Sequence, residues 1–147
     1  MPLPYRHVID RARRLPGRER AHALRALAWL IAASLAVRIV PFATLRRAIA
    51  RIPASRSPRA LLTPAECGTA IRRAGRPWPG ARCLPQAIAG YCLLRRAGLT
   101  GTVTVGARKQ EEQLDAHAWL EYDGAIITGA DVVDRYVPLV AAEHPKP

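Results

Sequence analysis

The chain has 147 residues, one domain's worth and enough to bury a core. Half of them are hydrophobic, which excludes wholesale disorder, and three cysteines are too few for a disulfide-stapled module. The net charge of +12 is lopsided: residues 1–82 carry 17 arginines against three acids, while residues 83–147 carry six basic side chains against eight acidic ones.

Residues 1–20 are basic and broken by Pro2, Pro4, Pro16 and Gly17, which reads as a short helix or an arm. Residues 20–40 read as an apolar helix closed by Pro41. Its uncharged run, Ala26 to Val37, has 12 residues, and a spanning helix needs about 20. The sequence after it, Ile39-Val40-Pro41-Phe42, is no small-residue cleavage site. The chain is therefore expected to begin at Met1 and stay in the cytoplasm. Arginines flanking an apolar helix also suit contact with the surface of an anionic membrane.

Residues 43–52 place Leu45, Ala48, Ile49 and Ile52 on one helical face, and residues 53–62 have the composition of a linker. Thr63-Pro64-Ala65-Glu66 is a capping box with proline at the first helical position, so a helix should run to about Ala74 and stop at Gly75. The loop RPWPGAR (76–82) cannot be helical. Cys83 opens the next helix, because Pro85 fits only in a first turn. Arg95 and Arg96 fall in its last turn, where cations are favoured, and Gly98 ends it. Strands follow at Thr102–Ala107, Ala116–Tyr122 and Ala125–Thr128, with a polar loop at 108–113 and a hairpin turn at Asp123-Gly124. Residues 135–140 read as an edge strand, since Pro138 is tolerated only at an edge or a bulge. Helices first and antiparallel strands second make the fold α+β. The expected division is a basic helical segment, residues 1–60, and a core, residues 61–147.

Cys83 is the leading candidate for chemistry. A thiol at a helix start faces the positive end of the dipole and free backbone N–H groups, and both favour a thiolate. Arg82 adds a neighbouring positive charge, and Trp78, held between two prolines, offers a wall for a substrate cleft. His117 lies between Ala116 and Ala118, which leave room for a ligand, and shares a strand face with Trp119 and Glu121. A Cys/His pair needs a group that orients the imidazole. The carboxylates available are Asp115, Glu121, Asp123, Asp131 and Asp134. A two-residue hairpin loop would set Ala130 opposite His117, and a three-residue loop would set Asp131 there. Asp131 is the choice. Cys67 and Cys92 read as buried apolar groups, and the absence of a closely spaced cysteine pair argues against structural zinc. No cofactor is expected.

The segments CLPQAIAGYCLLRRAG, TVTVGARK, AHAWLEYDG and RYVPL resemble, in order and spacing, the leader peptidases of lasso-peptide biosynthesis, members of the transglutaminase-like cysteine-protease superfamily. The resemblance covers residues 20–140, and the length is that of the split form, in which a small separate protein binds the leader. It implies a papain-like core with the cysteine helix packed on an antiparallel sheet, and a Cys83–His117–Asp triad. That acid usually lies about twelve residues after the histidine, where this chain has Gly129; Asp131 is the nearest acid. Trp78 and Trp119 are the expected substrate contacts. The implied partners are a precursor peptide, a leader-binding protein and an asparagine-synthetase-type cyclase; membrane contact through the N-terminal helix is expected from its flanking arginines alone. Two other functions fit the residues. One is a basic adaptor with a degenerate protease-like fold, binding nucleic acid or anionic membrane. Charge alone gives only unspecific binding and the chain has one Phe for base stacking, so nucleic acid is not the expected partner. The other is an acyl transferase working through the same thioester.

Overall fold

The computed structural model describes Asp10 and residues 13–55, 62–78 and 80–142. Among the described residues, four full helices precede the sheet: α1 (Gly17–Ile39), α2 (Phe42–Ala50), α3 (Pro64–Gly75) and α4 (Cys83–Arg96). Strands β1 (Thr102–Gln110), β2 (Gln113–Tyr122) and β3 (Ala125–Thr128) follow, then a 3-10 segment (Ala130–Arg135) and β4 (Val137–Ala142). The sheet is antiparallel throughout, in the order β3-β2-β1-β4. The α+β reading therefore holds.

Local chemistry sets the helix ends. Thr63 Oγ1 accepts from the Glu66 N–H at 3.2 Å, and the Thr63 N–H donates to Glu66 Oε2 at 2.8 Å. The capping box thus forms as its spacing predicts. The backbone bond from Thr63 holds the Glu66 carboxyl below its ordinary value, helped by the Thr63 hydroxyl. Helix α4 ends in a Schellman motif: Gly98 turns left-handed (φ +81°), its N–H reaches Arg95 O, and the Leu99 N–H reaches Leu94 O. Helix α3 ends at Gly75, as expected, and Arg76 continues in right-handed geometry.

Helix α4 is the centre of the molecule. Every residue from Pro85 to Arg95 except Gln86 is buried. One side meets α1 and α3 through Ala26, Leu30, Cys67 and Ile71; the other meets the sheet through Val103, Ala118 and Leu120. Gly90 allows the closest approach, since a Cβ there would stand 2.7 Å from a Leu120 methyl. Because α1 supplies part of this core, the expected division at residue 60 is not a packing boundary. The N-terminal helices and the sheet share one cluster.

One further expectation is corrected. Residues 108–113 are not a loop: β1 and β2 pair out to Gln110 and Gln113, leaving a two-residue turn with Glu111 left-handed (φ 56°). The Arg108–Asp115 ion pair across the ladder, at 3.0 Å, shows why polar residues stay in register there. Arg95 falls in the last turn of α4, as expected. It is 5% exposed, and its guanidinium donates to Ile52 O at 3.1 and 3.0 Å and to Thr100 Oγ1 at 2.9 Å, which fastens the end of α2 to α4. The edge position of Pro138 does hold: β4 is an edge strand with a bulge where Gly106 meets Pro138. Most of residues 1–20 and of the 53–62 linker lies outside the described residues.

The buried polar groups give a paired expectation for stability. Arg95→Met strips Ile52 O and Thr100 of a charged donor and should cost about 2–3 kcal/mol. Tyr91→Phe removes a buried hydroxyl with no partner among the described residues and should be neutral or stabilising. Urea midpoints of the two variants against the parent protein check both signs.

Candidate active site

Cys83 is the first residue of α4 and is half-buried. Arg82, its N-cap, makes no side-chain capping bond. The first N–H groups of a helix have no intrahelical partner, and Pro85 brings none, so Cys83 and Leu84 present the donors of this turn. The loop ahead is held by α1. Trp78 Nε1 donates to Ser34 Oγ at 3.2 Å, and Ser34 Oγ lies 2.7 Å from Leu30 O and 3.0 Å from Gly80 O. Gln86 Nε2 closes the loop on Ala81 O at 2.7 Å. The N–H of Trp78 is therefore committed to anchoring the loop that leads into Cys83.

His117 is half-buried on β2. Ala118 and Leu120 face the helices, so Asp115, His117 and Trp119 project from the opposite face, beside Gly106 and Arg108 of β1. β3 and β4 lie at opposite edges, and the segment joining them crosses this second face. It brings Gly129 and Tyr136 onto the histidine. Gly129 O lies 3.0 Å from His117 Nε2, and the Tyr136 ring centroid is 5.1 Å from the imidazole. A carbonyl can only accept, so the proton sits on Nε2 and the lone pair of the neutral ring is on Nδ1.

The expected acid is corrected. The hairpin loop has two residues, Asp123 and Gly124, both with positive φ. A bulge then shifts the register so that Leu120 meets Thr128. Continued further, that register would bring Asp131 opposite His117. The strand stops first: Gly129 turns left-handed (φ +83°) and residues 130–135 coil. Asp131 ends up exposed, and among the described residues no hydrogen bond or ion pair reaches its carboxylate. The bond that an acid at 129 would have made is supplied by the backbone carbonyl of the same residue. A Cβ at 129 would fall 2.9 Å from Ala118 O and 3.0 Å from His117 Nε2, so no side chain fits.

Trp119 is also corrected as a substrate contact. It is 1% exposed, lies over Gly106, and donates its indole N–H to Glu121. It stacks at 6.2 Å from His117 and supports the imidazole from within.

Tyr136, Asp115 and Arg108 complete the site. Tyr136 donates to Asp115 Oδ2 at 2.8 Å, Arg108 Nε donates to the same oxygen at 3.0 Å, and the guanidinium lies 5.0 Å from the Tyr136 ring centroid. The Tyr136 hydroxyl, and after it Arg108, hold the Asp115 carboxyl below its ordinary value, with His117 acting weakly in the same direction. The bond to Asp115 in turn raises the Tyr136 phenol; burial adds to this, and so does negative charge on Cys83. Tyr136 is also in ring contact with the imidazole. No hydrogen bond joins Cys83 to His117 directly. Asp115 could be read from the sequence as sharing the His117 face; Tyr136 carried no such signal, because only the crossover brings it near. Cys67 and Cys92 are buried, and burial pushes both thiols up to about 12. Among the described residues no cluster of His, Cys, Asp or Glu is fit to hold a metal.

Helices stand ahead of a four-stranded antiparallel sheet in this α+β protein, with a thiol opening the central helix and an oriented imidazole on the second strand. The chain belongs to the transglutaminase-like superfamily, whose family model matches residues 27–141. That superfamily comprises cysteine peptidases and acyl transferases. No curated protein and no solved structure matches the chain significantly.

Three measurements bear on this site. Iodoacetamide at neutral pH should label Cys83 in the folded protein, whereas Cys67 and Cys92 should react only after unfolding; peptide mapping reads the order. Gly129→Ala should cost about 1–3 kcal/mol from its backbone angle, before any contact with His117; urea unfolding reads it. The Tyr136–Asp115 bond should persist below the ordinary carboxylate range and fail as pH falls through the depressed Asp115 value. At the alkaline end it should survive past the ordinary phenol value and fail as pH rises through the raised Tyr136 value. Ultraviolet titration of the parent protein minus Tyr136→Phe isolates this phenol, and Asp115→Asn should move it down.

Proposed function

We propose that the protein is a cysteine endopeptidase that removes the leader from a lasso-peptide precursor. The observation that carries the reading is His117, oriented by Gly129 O with its Nδ1 lone pair available, in a chain whose half-buried Cys83 opens the central helix. The order of the cysteine helix, the HAWLEYDG strand and the RYVPL strand supports the leader-peptidase assignment within the superfamily.

In the proposed reaction, His117 Nδ1 takes the Cys83 proton and the sulfur attacks the carbonyl carbon at the leader–core junction. Hydrogen bonds of this kind are often long without substrate and tighten when it binds. The oxyanion is met by the N–H groups of Cys83 and Leu84. The C–N bond breaks, the imidazolium gives its proton to the leaving amine, and the core peptide departs with a free N-terminus. Water, deprotonated by His117, then attacks the thioester, releasing the leader as a carboxylic acid and returning the proton to the thiolate. Cys83 and His117 form the working pair, and Gly129 O takes the positioning role of a triad acid. The freed N-terminus passes to an asparagine-synthetase-type cyclase, and a separate leader-binding protein presents the precursor, all in the cytoplasm.

Purified chain, precursor peptide and leader-binding protein, followed by mass spectrometry, test the proposal. Cys83→Ala and His117→Ala should each lower leader removal at least a hundredfold, while Cys92→Ala retains it. A fully active Cys83→Ala protein would end the proposal. A leader–amine adduct in place of the acid, with an added primary amine, would reassign the reaction to acyl transfer.

A further inference from the structure

Helix α1 is apolar on two opposite sides. One side, with Ala26, Leu30 and Ala33, is buried in the core. The other carries Leu24, Ala28, Ile31, Leu35 and Ile39, spaced so that they form one stripe along the helix. Leu24 is 59% exposed, Leu35 55% and Ile39 80%, and Phe42 at the start of α2 is exposed as well. A helix that is apolar all round is normally covered all round. Here the protein covers half of it.

The charge around the stripe has one sign. Between Glu19 and Glu66 the sequence has no acidic residue and eight arginines. At 100° per residue, Arg25 falls on one flank of the stripe and Arg38 on the other, and both are exposed. Arg47 and Arg51, also exposed, follow on α2 and just beyond it. Among the described residues no ion pair engages any of these four.

We propose that this face seats the protein on an anionic lipid surface, with α1 lying in the plane of the headgroups. An apolar stripe edged by cations on both sides matches apolar acyl chains beneath a layer of negative charge. Although α1, at 23 residues, is long and apolar enough to cross a bilayer, its buried side is the wall against which α3 and α4 pack. Spanning would require dismantling the core; lying flat leaves it intact. The inference does not depend on the chemistry at Cys83.

Flotation of the full chain with vesicles tests it. Phosphatidylglycerol/phosphatidylcholine vesicles should bind at least tenfold more protein than phosphatidylcholine alone, and added salt should weaken the binding. Leu35→Gln with Ile39→Gln should lower binding to the anionic vesicles at least tenfold, with an unchanged circular dichroism spectrum, because neither side chain is in the core. Arg47→Gln with Arg51→Gln should lower it and flatten its salt dependence. Three results would overturn the proposal. One is equal binding to the two vesicle types. A second is anionic binding that the Leu35/Ile39 pair leaves unchanged, which is adsorption by net charge alone. The third is an absence of vesicle binding with a dimer, seen by sedimentation, that the same pair dissociates; that face would then join two copies of the chain.

Discussion

Burial of α4 is the constraint on which the other features depend. A helix sealed between two other helices and a sheet cannot slide or rotate without emptying packed space, because protein interiors are filled to crystal density. The contact of Gly90 with Leu120 sets how close it lies to the sheet. The Schellman turn at Gly98 and the Arg95 clamp on Ile52 O set where it ends. With the shaft and one end fixed, the position of Cys83 at the other end follows. The thiol is half-exposed because it stands where the packed helix emerges.

The second constraint is the crossover from β3 to β4. It has to traverse the sheet to reach the far edge, and the face it crosses carries Asp115, His117 and Trp119. One passage delivers the Gly129 carbonyl to Nε2 and the Tyr136 ring to the imidazole. A backbone carbonyl fixes tautomer and orientation as a carboxylate would, but it brings no negative charge to balance an imidazolium. Asp115, on the same strand face, has its carboxylate held by Tyr136 and Arg108.

Helix α1 serves the fold with one side only. Its ion pairs to α3, Arg18–Glu66 and Glu19–Arg73, are exposed and contribute little; the apolar contacts of Ala26, Leu30 and Ala33 hold it. Ser34, on the same helix, anchors the loop that ends at Cys83.

Local chemistry was legible in the amino-acid sequence: the Thr63–Glu66 box, the cysteine at a helix start enforced by Pro85, the Asp123-Gly124 turn, the edge placement of Pro138 and the burial of Cys67 and Cys92. Each depends on residues a few positions apart or on the apolar character of one side chain. The length of the β1–β2 hairpin was not legible, because Arg108 and Asp115 look like loop residues until their pairing shows them in register. Nor was the group that orients His117. Spacing favoured an acid near residue 131, whereas a bulge and one left-handed glycine, three-dimensional events with no periodicity, turned that acid outward and a carbonyl inward. Tyr136 came beside His117, and Trp119, expected to touch substrate, was buried, for the same reason. Which face of a strand another segment covers is decided by the path of the whole chain, since contacts between residues distant in sequence leave no mark on either segment alone.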